Sequence, residues 1–180
     1  SCAMTVNGRP RWTCRTHVSK VDGGRVEIGP LANLPVVKDL VTDMSRFFEK
    51  WQAAKGTFVP TATRHDAIAE IQPSSPARIA IDEAIECINC GVCHAACDTV
   101  TWNKDYLGPG PLNRAWTLVN DPRDGGQAER LFAISQAGGC QACHTHQSCE
   151  QLCPKGLNPT GSIAGLKRRV WQSYVSGKSE

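Results

Sequence analysis

Ten cysteines stand among 180 residues, and seven of the eight from Cys87 to Cys153 fall in a phased order. The first run, Cys87-Ile-Asn-Cys90-Gly-Val-Cys93-His-Ala-Ala-Cys97, reads C-x2-C-x2-C-x3-C. In two-cluster ferredoxins such a run gives three thiolates to one iron–sulfur cubane, while its fourth cysteine reaches across to the other cluster. Gly91 permits the close backbone approach that aims N–H groups at sulfur. A partner run is then required. Cys143, Cys149 and Cys153 supply it, matching the same template with its second cysteine replaced by His146. Under the crossover, Cys87, Cys90, Cys93 and Cys153 form a complete set for a [4Fe-4S] centre. Cys97, Cys143 and Cys149 are three thiolates, the pattern expected of a [3Fe-4S] centre. Zinc is the competing chemistry, but seven phased cysteines do not divide into two zinc tetrads without a replacement ligand such as His146.

Three further cysteines remain. Ser1-Cys2-Ala3-Met4 and Thr13-Cys14-Arg15 resemble the end of the plant-type C-x4-C-x2-C…C pattern for [2Fe-2S], with Cys2 as third ligand and Cys14 as fourth. The first two ligands of that pattern would precede residue 1, so Ser1 reads as an internal position and this [2Fe-2S] site as partial. Cys140 fits no slot, although it lies three residues before Cys143, and is read as a free thiol that only packs.

The elements that must position these residues differ between the two halves. Residues 1 to 30 are short, turn-rich and β-prone, punctuated by Asn7-Gly8 and Asp22-Gly23-Gly24. From Pro35 onward Val37, Leu40, Val41, Met44, Phe47, Phe48 and Trp51 recur at steps of three and four, which predicts an amphipathic helix. Residues 53 to 76 lack periodicity and carry Gly56, Pro60, Pro73 and Pro76, the signature of a linker. Helical pieces follow at 77 to 86, 111 to 119, 127 to 135 and 160 to 175. The expected fold class is α+β: residues 1–52 as the remnant of a plant-type ferredoxin-like β domain, 53–76 as linker, and 77–180 as an all-helical, bacterial-ferredoxin-like domain holding two clusters.

Composition narrows the function classes. Hydrophobic residues at 41% and charged residues at 21% are ordinary for a globular protein, so a packed core is expected. The cysteine spacing is too tight for a disulfide scaffold and points to metal ligation in a reducing compartment. No apolar run approaches the roughly 18 residues of a membrane-spanning helix, and the N-terminus carries no signal-peptide pattern. Net charge is +3, far from the strongly basic footprint of a nucleic-acid binder. Beyond Cys153 the basic residues Lys155, Lys167, Arg168, Arg169 and Lys178 face Glu180 alone, with Trp171 and Tyr174 among them. That mixture suits a membrane-proximal surface or an acidic partner, and equally a solvated helix face.

Together the motifs resemble the iron–sulfur subunit of the succinate dehydrogenase and fumarate reductase family over nearly the whole chain. Supporting stretches are Val37-Lys38-Asp39-Leu40-Val41, Tyr106-Leu107-Gly108-Pro109, Asp121-Pro122-Arg123-Asp124 and Cys153-Pro154-Lys155-Gly156-Leu157-Asn158-Pro159. The resemblance implies an electron relay of a membrane-associated respiratory complex, running from an FAD-containing flavoprotein subunit through [2Fe-2S], [4Fe-4S] and [3Fe-4S] to quinone at a membrane anchor. It further implies a peripheral place on the cytoplasmic face of a bacterial inner membrane, or the matrix face of a mitochondrial one. Family positions near quinone correspond here to Trp102 and His144. Two residues depart from the family pattern: Asp98 stands where many members have proline, and Thr101 where ubiquinone-reducing members show a second tryptophan. Subunits like those of heterodisulfide reductase or glycolate oxidase also pair cysteine runs, but with two complete motifs and no counterpart of Cys2 and Cys14.

Overall fold

The computed structural model describes residues 2–21 and 24–176. Ser1, Asp22, Gly23, Lys178 and Glu180, all named above, lie outside the described residues.

Strands β1 (Ala3–Val6) and β2 (Arg9–Trp12) pair antiparallel in the register Ala3↔Trp12 to Val6↔Arg9. Asn7 and Gly8 make the turn at φ 47° and 74°, the left-handed pair that a two-residue hairpin of the right twist requires. A short β3 (Ile28–Gly29) joins the free edge of β1, giving the order β2-β1-β3. Ala3 and Val6 turn inward, and the register sets Cys2 opposite Thr13, whose N–H donates to the Cys2 carbonyl at 3.1 Å.

The helix expected from Pro35 begins ten residues later. Strands β4 (Val36–Lys38) and β5 (Val41–Thr42) form a second hairpin around Asp39 at φ 50°, and helix α1 spans only Ser45–Ala53. Spacings of three and four fit a tight hairpin as well as a helix, and the β-branched Val36, Val37 and Val41 favour the strand. Val37 and Val41 accordingly face solvent, while Phe47 is fully buried. Asp43 fixes the helix start by accepting from the Ser45 N–H at 2.8 Å and its hydroxyl at 2.6 Å.

The rest is helical: α2 (Pro76–Ile81), α3 (Val92–Ala95), α4 (Asp98–Trp102), α5 (Pro109–Val119), α6 (Gln127–Ser135), α7 (Ser148–Gln151) and α8 (Pro159–Val175). Proline stands in the first turn of α2, α5 and α8, where its missing N–H costs nothing. Ser75 caps α2 and Asn158 caps α8 through side-chain oxygens.

Two apolar clusters fasten these elements. In one, α5, α6 and α8 interlock through Leu112, Ala115, Val119, Ile134, Ile163, Leu166 and Val170. The other joins Ala3, Leu31, Leu34 and Phe47 to Val92 and Ala95, so the N-terminal segment and the first cysteine run share one core. Residues 55–61 are held as well. Arg130, fully buried on α6, donates to both Asp124 oxygens at 2.6 and 3.2 Å and to the carbonyls of Lys55 and Thr57 at 2.8 and 3.0 Å. Asp124 in turn accepts from the N–H groups of Val59 and Gly126.

Candidate metal centres

Each short helix of the cysteine runs carries one thiol and is followed, two residues past its end, by another four residues on: Cys93 on α3 with Cys97 beyond it, and Cys149 on α7 with Cys153 beyond it. Four residues are about one turn, or roughly 6 Å of helix axis, so a single turn presents its two thiols to two different places. Those places are distinct cavities. Cys87, Cys90, Cys93 and Cys153 line one, with Phe47, Gly110 and Asn113. Cys97, Cys143 and Cys149 line the other, with Tyr106, Thr160 and the loop 144–148. The thiols ring the cavities and do not converge on a point: among the described residues no three His, Cys, Asp or Glu side chains stand close enough to hold a single ion. Rings of this kind suit a multi-atom cluster better than one tetrahedral zinc.

The surroundings fit such a group. Burial pushes the thiols of Cys87, Cys90, Cys97 and Cys149 above the usual range, and Cys93 furthest of all. Backbone N–H groups pull the other way, from Asn89 toward Cys87, Val92 toward Cys90, Thr99 and Val100 toward Cys97, and Glu150 toward Cys149. The Thr160 hydroxyl stands 3.5 Å from the Cys149 sulfur. Donors aimed at sulfur stabilise thiolate, and bound iron would complete the deprotonation that burial alone resists. Gly91 sits at φ 81°, where an added Cβ would lie 3.1 Å from Met44, so the loop between Cys90 and Cys93 depends on glycine.

His94, in the first cysteine run, is 2% exposed, its ring edge-on to Phe47 at 5.6 Å. Burial, reinforced by Lys50 and Lys104, lowers its pKa to about 4, so it is neutral in the fold. The Asn33 amide ties loop to run by donating toward the carbonyls of His94 and Ala95 at 3.3 and 3.2 Å. Neither role had a signal in the sequence, because an asparagine in a loop and a histidine inside a motif carry no spacing of their own.

At the mouth of the three-cysteine cavity Trp102, His144 and His146 gather on the surface. Trp102 lies 6.4 Å from His144 and 5.9 Å from His146 between ring centroids, and the imidazoles are 6.2 Å apart. Thr145 and Gln147, the residues that follow each histidine, adopt φ 61° and 65°. His146, at the position of the missing cysteine, lines the cavity. Cys140 is buried in the α5–α6–α8 core, outside both rings. Cys2 and Cys14, both exposed, meet across the first hairpin, where the Cys2 thiol beside Cys14 raises the pKa of Cys14. Among the described residues no helix is long and apolar enough to cross a membrane.

Two thiol-ringed cavities under a helical cap, with a cysteine-bearing β segment ahead of them, define an iron–sulfur electron-transfer protein built from ferredoxin-type parts. Residues 1–49 match the family described as 2Fe-2S iron-sulfur cluster binding domain, and residues 86–158 match the 4Fe-4S dicluster domain. The succinate dehydrogenase iron-sulfur subunit of Paracoccus denitrificans is 36% identical over 97% of this chain and 67% of its own length. The mitochondrial succinate dehydrogenase [ubiquinone] iron-sulfur subunit 1 of Oryza sativa subsp. japonica is 35% identical over 93% of this chain, which spans 60% of that relative. A solved chain of the Mycobacterium smegmatis Sdh1 complex in the apo form superposes with a TM-score of 0.78 at 28% identity, covering 96% of this chain and 72% of that one. The chain belongs to the family of succinate dehydrogenase iron–sulfur subunits, and its role is electron transfer within an oxidoreductase complex.

Proposed function

We propose that this chain relays electrons between an FAD-containing flavoprotein subunit, where succinate and fumarate interconvert, and quinone held at a membrane anchor. The observation that carries the reading is the division of seven thiols into rings of four and three. Cys87, Cys90, Cys93 and Cys153 would hold [4Fe-4S], and Cys97, Cys143 and Cys149 would hold [3Fe-4S]. Cys2 and Cys14 supply two thiolates toward [2Fe-2S]. The clusters supply one-electron redox chemistry when bound. The polypeptide holds them adjacent, buries them, and aims N–H groups at their sulfurs, which together set potential. In domain terms, 1–52 carries the first centre, 53–76 connects, and 77–180 carries the other two.

Trp102 and His144 form the contact for quinone, an aromatic face and an imidazole donor at the mouth of the three-thiolate cavity. The basic, aromatic-bearing end of α8 supports a peripheral seat against a membrane anchor, on the cytoplasmic face of a bacterial inner membrane or the matrix face of a mitochondrial one.

Electron paramagnetic resonance of the anaerobically purified, air-oxidised protein tests the cluster types. A [3Fe-4S] signal in the oxidised state and a [4Fe-4S] signal after reduction are expected. Two identical cubane signals would defeat the assignment.

A further inference from the structure

Tyr106 is the one large polar side chain sealed into the wall of the three-cysteine cavity: it is 1% exposed, and Cys97, Cys143 and Cys149 line the same space. Tyr106 and Cys143 share this lining, and burial above all, then the Cys143 and Cys97 sulfurs, with Cys143 also as a hydrogen-bond partner, push the pKa of the Tyr106 hydroxyl up. The Cys143 thiol stands for the thiolate present once iron is bound, and a phenol can then only donate to it. The backbone around Tyr106 is pinned from three sides. Its N–H donates to the Asn103 side-chain oxygen at 3.2 Å, the next N–H donates to the Gly138 carbonyl at 2.8 Å, and its own carbonyl accepts from the Lys50 ammonium at 2.6 Å.

Lys50 stands behind that wall, on the Tyr106 carbonyl. Burial lowers its pKa, and the charges it feels are Lys104, Asp105, Arg46 and Cys97. A half-buried ammonium is costly to desolvate, and surface alternatives exist for a side chain of that length. Here it is spent on a carbonyl behind the cavity.

Reduction adds one negative charge to an iron–sulfur centre, and a hydrogen bond to ligand sulfur or a nearby cation favours the more negative state. We propose that Tyr106, by donating to the Cys143 sulfur, and Lys50, by placing a positive charge behind Tyr106, raise the midpoint potential of the three-thiolate centre relative to its four-thiolate neighbour. The two residues would thereby hold the last centre as the better electron acceptor and set the direction of flow. This inference rests on the reading that Cys97, Cys143 and Cys149 hold a cluster.

The test is a redox titration followed by electron paramagnetic resonance on the loaded chain, co-purified with whatever subunits accompany it. Wild type, Tyr106→Phe and Lys50→Gln are compared. Tyr106→Phe keeps the ring and removes the donor, so the three-thiolate midpoint moves to more negative potential while the four-thiolate midpoint in the same sample stays fixed. Lys50→Gln leaves the cavity wall intact and shifts the same centre in the same direction, which keeps the test decisive if the phenylalanine variant loads poorly. An unchanged three-thiolate midpoint in both variants, or an equal shift of both centres, overturns the proposal. A wild type without the [3Fe-4S] signal refutes the cluster type alone, because the centre on these thiols still shows or fails to show its shift.

Discussion

Arg130→Met should be the most damaging single substitution outside the thiols. The guanidinium and the Asp124 carboxylate are an ion pair with side chains 1% and 0% exposed. Asp124 has four donors, two from Arg130 and one each from the Val59 and Gly126 N–H groups. Methionine fills similar volume but leaves the carboxylate two donors short and strips the carbonyls of Lys55 and Thr57 of theirs. Removing one partner of a buried pair costs about 3–5 kcal/mol. The orphaned carbonyls sit beside exposed chain and can rehydrate, so about 4 kcal/mol is the working figure. For a chain of this size each kcal/mol lowers the unfolding midpoint by about 2–4 °C, giving a drop of about 8–16 °C. Urea denaturation of the loaded chain, read by tryptophan fluorescence, measures the free energy. Hydrogen exchange should show faster exchange across residues 55–61. The double variant Arg130→Met/Asp124→Leu removes both charges and should cost less than the sum of the singles by about 2 kcal/mol. A single-variant loss below about 1 kcal/mol, or strict additivity in the double, would refute the reasoning.

Three further outcomes are expected. His146→Cys completes the C-x2-C-x2-C-x3-C series at 143, 146, 149 and 153, so the oxidised [3Fe-4S] signal should vanish as the centre takes a fourth iron; persistence of that signal at full iron content counts against a vacant corner facing residue 146. Cys140→Ser places a hydroxyl in an apolar core and should cost about 1–3 kcal/mol of stability while leaving iron content and both cluster signals intact, whereas loss of a centre would make Cys140 a ligand. The Arg123 guanidinium grips Asp121 through two hydrogen bonds of 2.9 and 2.7 Å and holds its carboxyl below the usual range. Because the folded-state pKa is depressed, that contribution is present above about pH 4, the unfolded value, and disappears as pH falls through the folded one. Arg123 is half exposed, so Arg123→Gln should cost only about 0.5–1 kcal/mol at pH 7, with the two unfolding curves converging as acid protonates Asp121; a gap that does not narrow on acidification would contradict the pairing.

The cysteine runs were legible because ligation imposes fixed spacing on neighbouring residues. The thiols that this spacing groups as four and three line two cavities, and the helices at 109–119, 127–135 and 159–175 follow from apolar periods of their own. What escaped depends on partners distant in sequence. Lys50 meets Tyr106 across 56 positions, and Arg130 meets Lys55 across 75; a charged residue inside an amphipathic helix gives no sign of where its head group goes. The hairpin at 36–42 escaped for a different reason. Its apolar steps imitate a helix, and only the exposure of Val37 and Val41 tells the two apart.

The cross-strapped helices α3 and α7 carry a consequence for how such a chain is matured and how it fails. Each lends one sulfur to either cavity, so a ring left empty slackens the very turn that must offer a thiolate to the other. With clusters in both rings, loading would be cooperative in the manner of a two-pin lock, the first metal group to enter organising the second site. Damage would run the same route backward: loss of a cluster from the three-thiolate ring would withdraw support from Cys93 and Cys153, which line the other cavity.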